Sequence, residues 1–448
     1  MMALVVPFTN LLRQFAIKEN VSGFKRCLTN LKPIYSSSTN LTAKRFKSNI
    51  ESPESNFISI GQEPEPEPSY ECVNRAEEIV YYHNKPYRCH YGGILPDLQL
   101  AYECWGTLNA KKDNVVLLQH GLSGSSHVRS HDEYEGSAPG WWQKFVGANK
   151  MIDTNKFFVI CVNHLGSCFG STGPSSYNPI TERPYGGDFP IVSIKDICEA
   201  QVLVLDYLGI DKLYAVVGAS LGGMAAFWLA AQFPDRVSRM VSISGGGNAS
   251  PQAIAFRYLQ RDAIMKDPNW RNGNYYGLEP PVQGMQLARK IATLTYRSGP
   301  EWSKRFDRKK INQHVHLPRY TGSEFAIEDY IRHQGESFLE KTGYDPNSLI
   351  YLSKAMDLFD MGDLGAKCKG LRDGFCKIKC PTLVMGASSD VLFPSRKQEE
   401  AAQLITESGN RNVVLNIVDG HYGHDTFLLD LEGMGMCMKD FLENYCPR

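Results

Sequence analysis

Apolar and polar positions recur in a fixed order along most of the chain. "NVVLLQHG" (114–121), "FFVICVNHLG" (157–166), "LYAVVGAS" (213–220), "MVSISG" (240–245) and "PTLVMGASSD" (381–390) are near-continuous apolar runs that end in Gly, Ser or Asp. Strands covered on both faces of a parallel sheet read this way. "LQLAYECWG" (98–106) alternates instead, as an antiparallel strand does. "SIKDICEAQVLVLDYLG" (193–209) and "GGMAAFWLAAQFP" (222–234) carry helical period between strands. Strands alternating with helices predict an α/β fold whose chemistry sits at the carboxyl ends of the strands.

About 135 residues separate "MVSISG" from "PTLVMGASSD", and "PQAIAFRYLQRDAIM", "GMQLARKIATLTYRS" and "SFLEKTGYDPNSLIYLSKAMDLFD" within them have helical period. A stretch that long is not a plain loop. It predicts a helical cap over residues 251–375, inserted between two parts of the core, 76–250 and 376–448. Ahead of the core, "ESPESNFISIGQEPEPEPSYE" alternates Pro with Glu, a composition that stays extended, so 48–75 is expected to be a linker. Residues 1–47 carry Arg13, Lys18, Lys25, Arg26, Lys32, Lys44, Arg45 and Lys47 against the single acid Glu19, with hydroxyl residues interleaved. That is the composition of a mitochondrial transit peptide, and a matrix location is expected.

Charge and cysteine content narrow the chemistry further. Forty-eight Lys and Arg balance 48 Asp and Glu, so neither nucleic acid nor an anionic membrane recommends itself as a partner and small molecules do. No run reaches the roughly eighteen apolar residues of a spanning helix. Twelve cysteines are scattered, and the nearest approach to a metal set, Cys368, Cys376 and Cys380, lacks tight pairs and a nearby His. They read mostly as buried thiols in a reducing compartment, with no metal expected.

Gly218-Ala219-Ser220-Leu221-Gly222 matches G-x-S-x-G, with an apolar strand before it and an amphipathic helix expected after it. In that setting the serine stands on a sharp strand-to-helix turn with its Oγ exposed above the sheet, and Ser220 is expected to be the nucleophile. A serine hydroxyl needs a base, and the base an acid to orient it, in the chain order Ser, Asp or Glu, His on this fold. Asp390, right after the strand "PTLVMGASS", is in place for the acid. His421 and His424 in "DGHYGHDTFLLD" compete for the base, and Gly423 with the helix that follows favours His424. The N–H groups of Leu122, in "HGLSGSSH", and Leu221 are candidates for an oxyanion hole. His120 reads as loop-shaping and His164 as a pocket-wall or packing residue.

"CVNHLGSCFGSTGPSS", "VVGASLGGM", "LTYRS" and "GHDTFL" together resemble the homoserine O-acetyltransferase family of α/β-hydrolase-fold enzymes, including its serine O-acyltransferase relatives, over roughly 76–445. The resemblance implies acyl transfer from a coenzyme A thioester to an amino-acid hydroxyl through an acyl-serine, with no bound cofactor and coenzyme A as co-substrate. It further implies Ser220, Asp390 and His424 as the catalytic set and a homodimer formed through the cap. Arg289 and Asp425 are implied as contacts to the amino acid, which suits a carboxylate and an ammonium group. Arg257 stands where acetyl-transferring members carry Asn, and a cation there would suit the free carboxylate of a succinyl chain. The usual "GGMQ" appears as Gly222-Gly223-Met224-Ala225, and the usual threonine-rich loop as "HGLSGSSH". Both agree with L-serine as acceptor, on the route to cysteine. The alternatives are a homoserine O-acetyltransferase of methionine biosynthesis, a thioesterase or esterase with the same triad, and a non-catalytic protein on a hydrolase scaffold.

Overall fold

The computed structural model describes residues 78–131, 136–311, 323–365 and 368–447. The transit peptide and linker expected over 1–75 lie outside them. Eight strands form the main sheet: β1 (Ile79–His83), β2 (Leu98–Trp105), β3 (Val115–Gln119), β4 (Phe158–Val162), β5 (Ala215–Ala219), β6 (Met240–Ile243), β7 (Thr382–Ala387) and β8 (Val413–Val418). Their spatial order is β1-β2-β4-β3-β5-β6-β7-β8. β2 runs antiparallel to both neighbours and the remaining pairs are parallel.

Every residue of β3, β4 and β5 is buried, because helices cover both faces and leave no polar side to the sheet. The alternation in β2 therefore misleads on one point. Glu103 does not face solvent; it is 0% exposed. β1 is an additional strand that the apolar pattern does not announce, half-buried at the sheet edge.

Helix α1 (Ile194–Tyr207) starts at a reciprocal cap, with Asp196 N–H donating to Ser193 Oγ and Ser193 N–H to Asp196 Oδ2. That cap satisfies two of the donors a helix start leaves open. Helix α2 (Leu221–Gln232) is not amphipathic as expected: it is buried over all but its last residue, as a helix apolar on every side must be. Its glycines set how close it comes. A Cβ on Gly222 would lie 2.0 Å from Gln119 O in β3, so only glycine fits.

Between β6 and β7 the chain forms α3 (Pro251–Met265), α4 (Val282–Tyr296), α5 (Gly299–Arg305), α6 (Ala326–Thr342), α7 (Pro346–Asp357) and α8 (Leu371–Phe375). The run 337–360, which has a single helical period in the sequence, is two helices. Gly343 adopts φ 60° as the end of α6, and Asp345 accepts from Ser348 N–H to start α7. Glycine takes that left-handed conformation without steric cost. After β7 come α9 (Ser395–Glu407), and after β8 α10 (Thr426–Leu429) and α11 (Met436–Glu443). Among the described residues no helix is long and apolar enough to cross a membrane, and the ten cysteines are free thiols of which only Cys89, Cys161, Cys198 and Cys380 are buried, fewer than expected, because most of the others sit on partly exposed segments.

Candidate active site

Ser220 follows the last residue of β5 and precedes the first of α2 with φ 59° and ψ −118°. A non-glycine residue holds such angles only when its surroundings enforce them. Here its N–H donates to Ile243 O at 2.9 Å, and its carbonyl accepts from Gly223 and Met224 N–H. A Cβ on Gly218 would meet Gly222 O at 2.0 Å, so glycine on both sides of Ser220 is what lets the strand and helix close on it.

The structure brings Ser220, His424 and Asp390 into one hydrogen-bonded chain. His424 Nε2 lies 2.9 Å from Ser220 Oγ, and His424 Nδ1 lies 2.7 Å from Asp390 Oδ2. Asp390 is itself held, since its Oδ1 accepts from Leu392 and Phe393 N–H at 2.9 and 2.8 Å. A carboxylate can only accept, so Nδ1 carries the proton and Nε2 is left as the acceptor for the serine hydroxyl. Phe393 stacks on the imidazole at 5.4 Å and Phe427 meets it edge-on at 5.4 Å, which limits its rotation. All three residues are at least 95% buried. His421, the competing histidine, instead gives its backbone carbonyl to Ser298 Oγ. Gly423 also fixes how this turn packs. At φ 66° a Cβ there would meet Tyr296 O at 2.7 Å, so glycine lets the histidine turn dock on the end of α4.

A pocket opens over Ser220 and His424, walled by Leu122, Ser123, Trp141, Phe169, Tyr296 and Asp425 among others. Leu221 opens α2, so its N–H is one of those a helix leaves without an internal acceptor. The N–H of Leu122 belongs to the same peptide unit as Gly121 O, and that carbonyl accepts from His120 Nδ1 at 2.8 Å and Gly124 N–H at 3.1 Å. Two donors on one side of a planar peptide fix where the N–H on its other side points. Donors aimed in this way can meet negative charge developing above Ser220.

His120 and His164 are the base of that arrangement. Their rings stack at 3.6 Å. His164 N–H donates to His120 Nε2, His164 Nε2 donates to His120 O, and His164 Nδ1 accepts from Gln201 Nε2. Every contact is met only if both rings are neutral. Burial pushes His164 down to about 4, and burial with the neighbouring His164 pushes His120 well below the usual histidine value. The unfolded chain therefore takes up protons near pH 6.5 that the folded chain refuses, so stability falls as pH drops from 6.5 toward 4. For His164 the loss reaches roughly 3 kcal/mol at pH 4. Urea midpoints across this range should fall steadily, and a His164→Gln variant, whatever its absolute stability, should show a flatter slope.

Glu103 anchors the same loop from β2. Ser126 Oγ donates to its Oε1 at 2.9 Å, and His127 Nδ1 and His131 Nε2 share its Oε2 at 2.8 and 2.9 Å. Burial would raise this carboxyl, but the two histidine contacts outweigh it and hold it below the usual value. These three side chains are close enough to share an ion, yet protein donors already satisfy both carboxylate oxygens. Sequence reading passed over Glu103, because an acid on the same face as Gln99 fits the outward side of an alternating strand.

Asp425 lies in the pocket wall, 3.2 Å from Arg297 Nε, and Arg297 in turn meets Glu301 Oε1 at 2.9 Å. No side-chain cap bond joins Asp425 to α10, so it is not there to start the helix. Arg297 is a second arginine of "LTYRS" surroundings that sequence reading did not single out. Arg289 is buried on α4 with its guanidinium 4.3 Å from the Phe338 ring and 5.4 Å from that of Tyr296. Arg257 does not cover a helix surface: it is 2% exposed, its Nε donates to Asp357 Oδ1 at 2.6 Å, and its two terminal nitrogens are buried without a hydrogen-bond partner.

Known proteins resemble the chain over most of its length. The alpha/beta hydrolase fold family model matches residues 114–431. The chain is 42% identical to a serine O-succinyltransferase of Schizosaccharomyces pombe, over 87% of this chain and 88% of that protein. It is 38% identical to a homoserine O-acetyltransferase of Moorella thermoacetica, over 80% of this chain and 93% of that one. Among solved structures, homoserine O-acetyltransferase from Bacillus anthracis superposes with a TM-score of 0.75 at 27% identity, covering 82% of this chain and 97% of that chain. Esterase E22 superposes at 0.74 with 31% identity, covering 82% and 100%. The chain thus belongs to the homoserine O-acetyltransferase family, acyltransferases on the α/β-hydrolase fold, and within it is most like the serine O-acyltransferase branch.

Proposed function

We propose that the chain transfers an acyl group from a coenzyme A thioester to the hydroxyl of L-serine, with succinyl-CoA the preferred donor, through an ester on Ser220. The observation that carries the reading is the hydrogen-bonded run from Asp390 through His424 to Ser220 beneath the pocket. His424 Nε2 takes the Ser220 proton as Oγ attacks the thioester carbon. The new C–O bond forms, the C–S bond breaks, and the proton passes to the leaving thiolate. In the second half His424 draws the proton from the acceptor hydroxyl, whose oxygen attacks the acyl carbon, and returns it to Ser220 as the ester bond breaks. The N–H groups of Leu122 and Leu221 hold the oxyanion at both tetrahedral stages. The apolar walls of Trp141, Phe169 and Phe427 keep water from the ester, which would otherwise hydrolyse.

Arg257 supports the succinyl donor, since two buried guanidinium nitrogens without a partner suit a free carboxylate. Asp425 in the pocket wall and Arg289 beside Tyr296 support an amino-acid acceptor, its ammonium facing the carboxylate and its carboxylate the guanidinium. An O-acylserine product places the enzyme in cysteine biosynthesis, with coenzyme A as co-substrate and no bound cofactor or metal. Homodimer formation through the cap is supported by Tyr258 on α3 and Leu287 and Leu294 on α4, each about half exposed. The basic, acid-poor stretch over 1–47 supports import into the mitochondrial matrix.

Likeness to an esterase of 31% identity favours one second reading, hydrolysis of the acyl-serine by water. Thiol release with acetyl-CoA and succinyl-CoA, each crossed with L-serine, L-homoserine and no acceptor, separates the cases. Serine-dependent release that prefers succinyl-CoA is expected. Release without acceptor would make the protein a hydrolase, and homoserine dependence would move it to methionine biosynthesis.

A further inference from the structure

We propose that Asp357 is a positioning residue for donor choice: it holds the Nε edge of Arg257 so that the two terminal nitrogens stay free to take the distal carboxylate of the acyl chain. The inference rests on the donor reading above and adds what makes Arg257 able to read it.

Asp357 is the last residue of α7, and both its oxygens are engaged by α3. Oδ1 accepts from Arg257 Nε and Oδ2 from Arg261 Nη2, each at 2.6 Å. Arg261 is braced from its other side, its Nη1 donating to Ser353 Oγ at 3.1 Å. All three charged side chains are at most 8% exposed. Two guanidinium groups against one carboxylate leave a net positive charge in a buried place, and burying an uncompensated charge is unfavourable until a counter-charge arrives.

The geometry says where the deficit lies. Arg261 spends both terminal nitrogens on Asp357 and Ser353, whereas Arg257 spends only Nε and keeps Nη1 and Nη2 buried with no partner. Those two nitrogens form the fork that binds a carboxylate through two parallel bonds. An arginine is flexible about its aliphatic stem, so a fork without an anchor would swing or fold back. Asp357 removes that freedom. Helix α3, which carries Arg257, packs along α4, and the last residue of α4, Tyr296, walls the pocket with its ring centre 6.1 Å from that of His424.

The experiment compares kcat and KM for succinyl-CoA and acetyl-CoA, with L-serine as acceptor, in the full-length protein and in Asp357→Asn, Asp357→Glu and Arg257→Asn. Asp357→Asn is expected to lower kcat/KM for succinyl-CoA by about 10- to 100-fold, chiefly through KM, and that for acetyl-CoA by less than about 3-fold. Asp357→Glu, which keeps the charge, should recover part of the loss. A role in folding alone would depress both donors together, and that result overturns the proposal. If Arg257→Asn changes the donor ratio while Asp357→Asn does not, the proposal fails and the donor reading stands. If Arg257→Asn leaves the ratio unchanged, the donor reading falls and the proposal with it. Should Asp357→Asn not fold, Ser353→Ala loosens the same brace through Arg261. It should shift the donor ratio toward acetyl-CoA by about 2- to 5-fold, and no shift there overturns the proposal.

Discussion

Replacing Ser220 by alanine is expected to lower kcat for acyl transfer by about 10⁴- to 10⁶-fold while leaving the thermal midpoint within a few degrees of wild type. Ser220 Oγ is the hydroxyl that His424 Nε2 reaches, at 2.9 Å, and it stands beneath the pocket where an acyl carbon would sit. Alanine removes the atom that bonds to the acyl group and leaves the rest of the turn. The bonds that hold the turn at φ 59° are made by the backbone, through Ile243 O, Gly223 N–H and Met224 N–H, so they survive the change. Oriented donors and a shaped pocket still act on a water molecule, which sets a residual rate above the uncatalysed one. Thiol release measured with succinyl-CoA and L-serine tests this, and a variant retaining more than a few per cent of the rate would place the nucleophile elsewhere.

The residues on which this expectation rests are legible in the sequence for a physical reason. A strand buried on both faces has to be apolar throughout, and a turn this tight has to be flanked by glycine, so β5 and α2 advertise Ser220 between them. Asp390 and His424 follow from the ends of β7 and β8 by the same logic. Less legible is whatever depends on partners distant in the chain. Glu103 looks like the outward position of an alternating strand, and only the return of the loop at Ser126, His127 and His131 makes it an anchor. Asp425 looks equally like a helix cap until Arg297 is seen beside it. Arg257 is visible as a cation on a helix, but its free edge depends on Asp357, one hundred residues away. Edge strand β1 is half-buried and so lacks the strong pattern that marked the inner strands, and the break at Gly343 hides within a run whose apolar spacing continues across it.

Asp390→Asn is expected to lower kcat by about 10³- to 10⁴-fold, although it exchanges groups of nearly the same shape. The two oxygens of Asp390 face different donors. Oδ1 accepts from Leu392 and Phe393 N–H, and Oδ2 accepts from His424 Nδ1 at 2.7 Å. An asparagine has one oxygen and one NH₂, and the two backbone N–H groups claim the oxygen, because turning the amide round would set its NH₂ against them. The NH₂ then points at His424 Nδ1, which must become the acceptor. That moves the imidazole proton to Nε2, where it faces Ser220 Oγ and can no longer receive the serine's proton. The imidazole stays in place between Phe393 and Phe427, so substrate binding should change little and the loss should fall on kcat. Raising the pH is expected to recover some activity, as hydroxide takes over the removal of the serine proton. A pH–rate profile of the variant against wild type distinguishes this from simple misfolding, which would lower the rate at every pH alike and broaden the thermal transition. An Asp390→Asn enzyme with near wild-type kcat at neutral pH would mean that the tautomer of His424 is held by some other group.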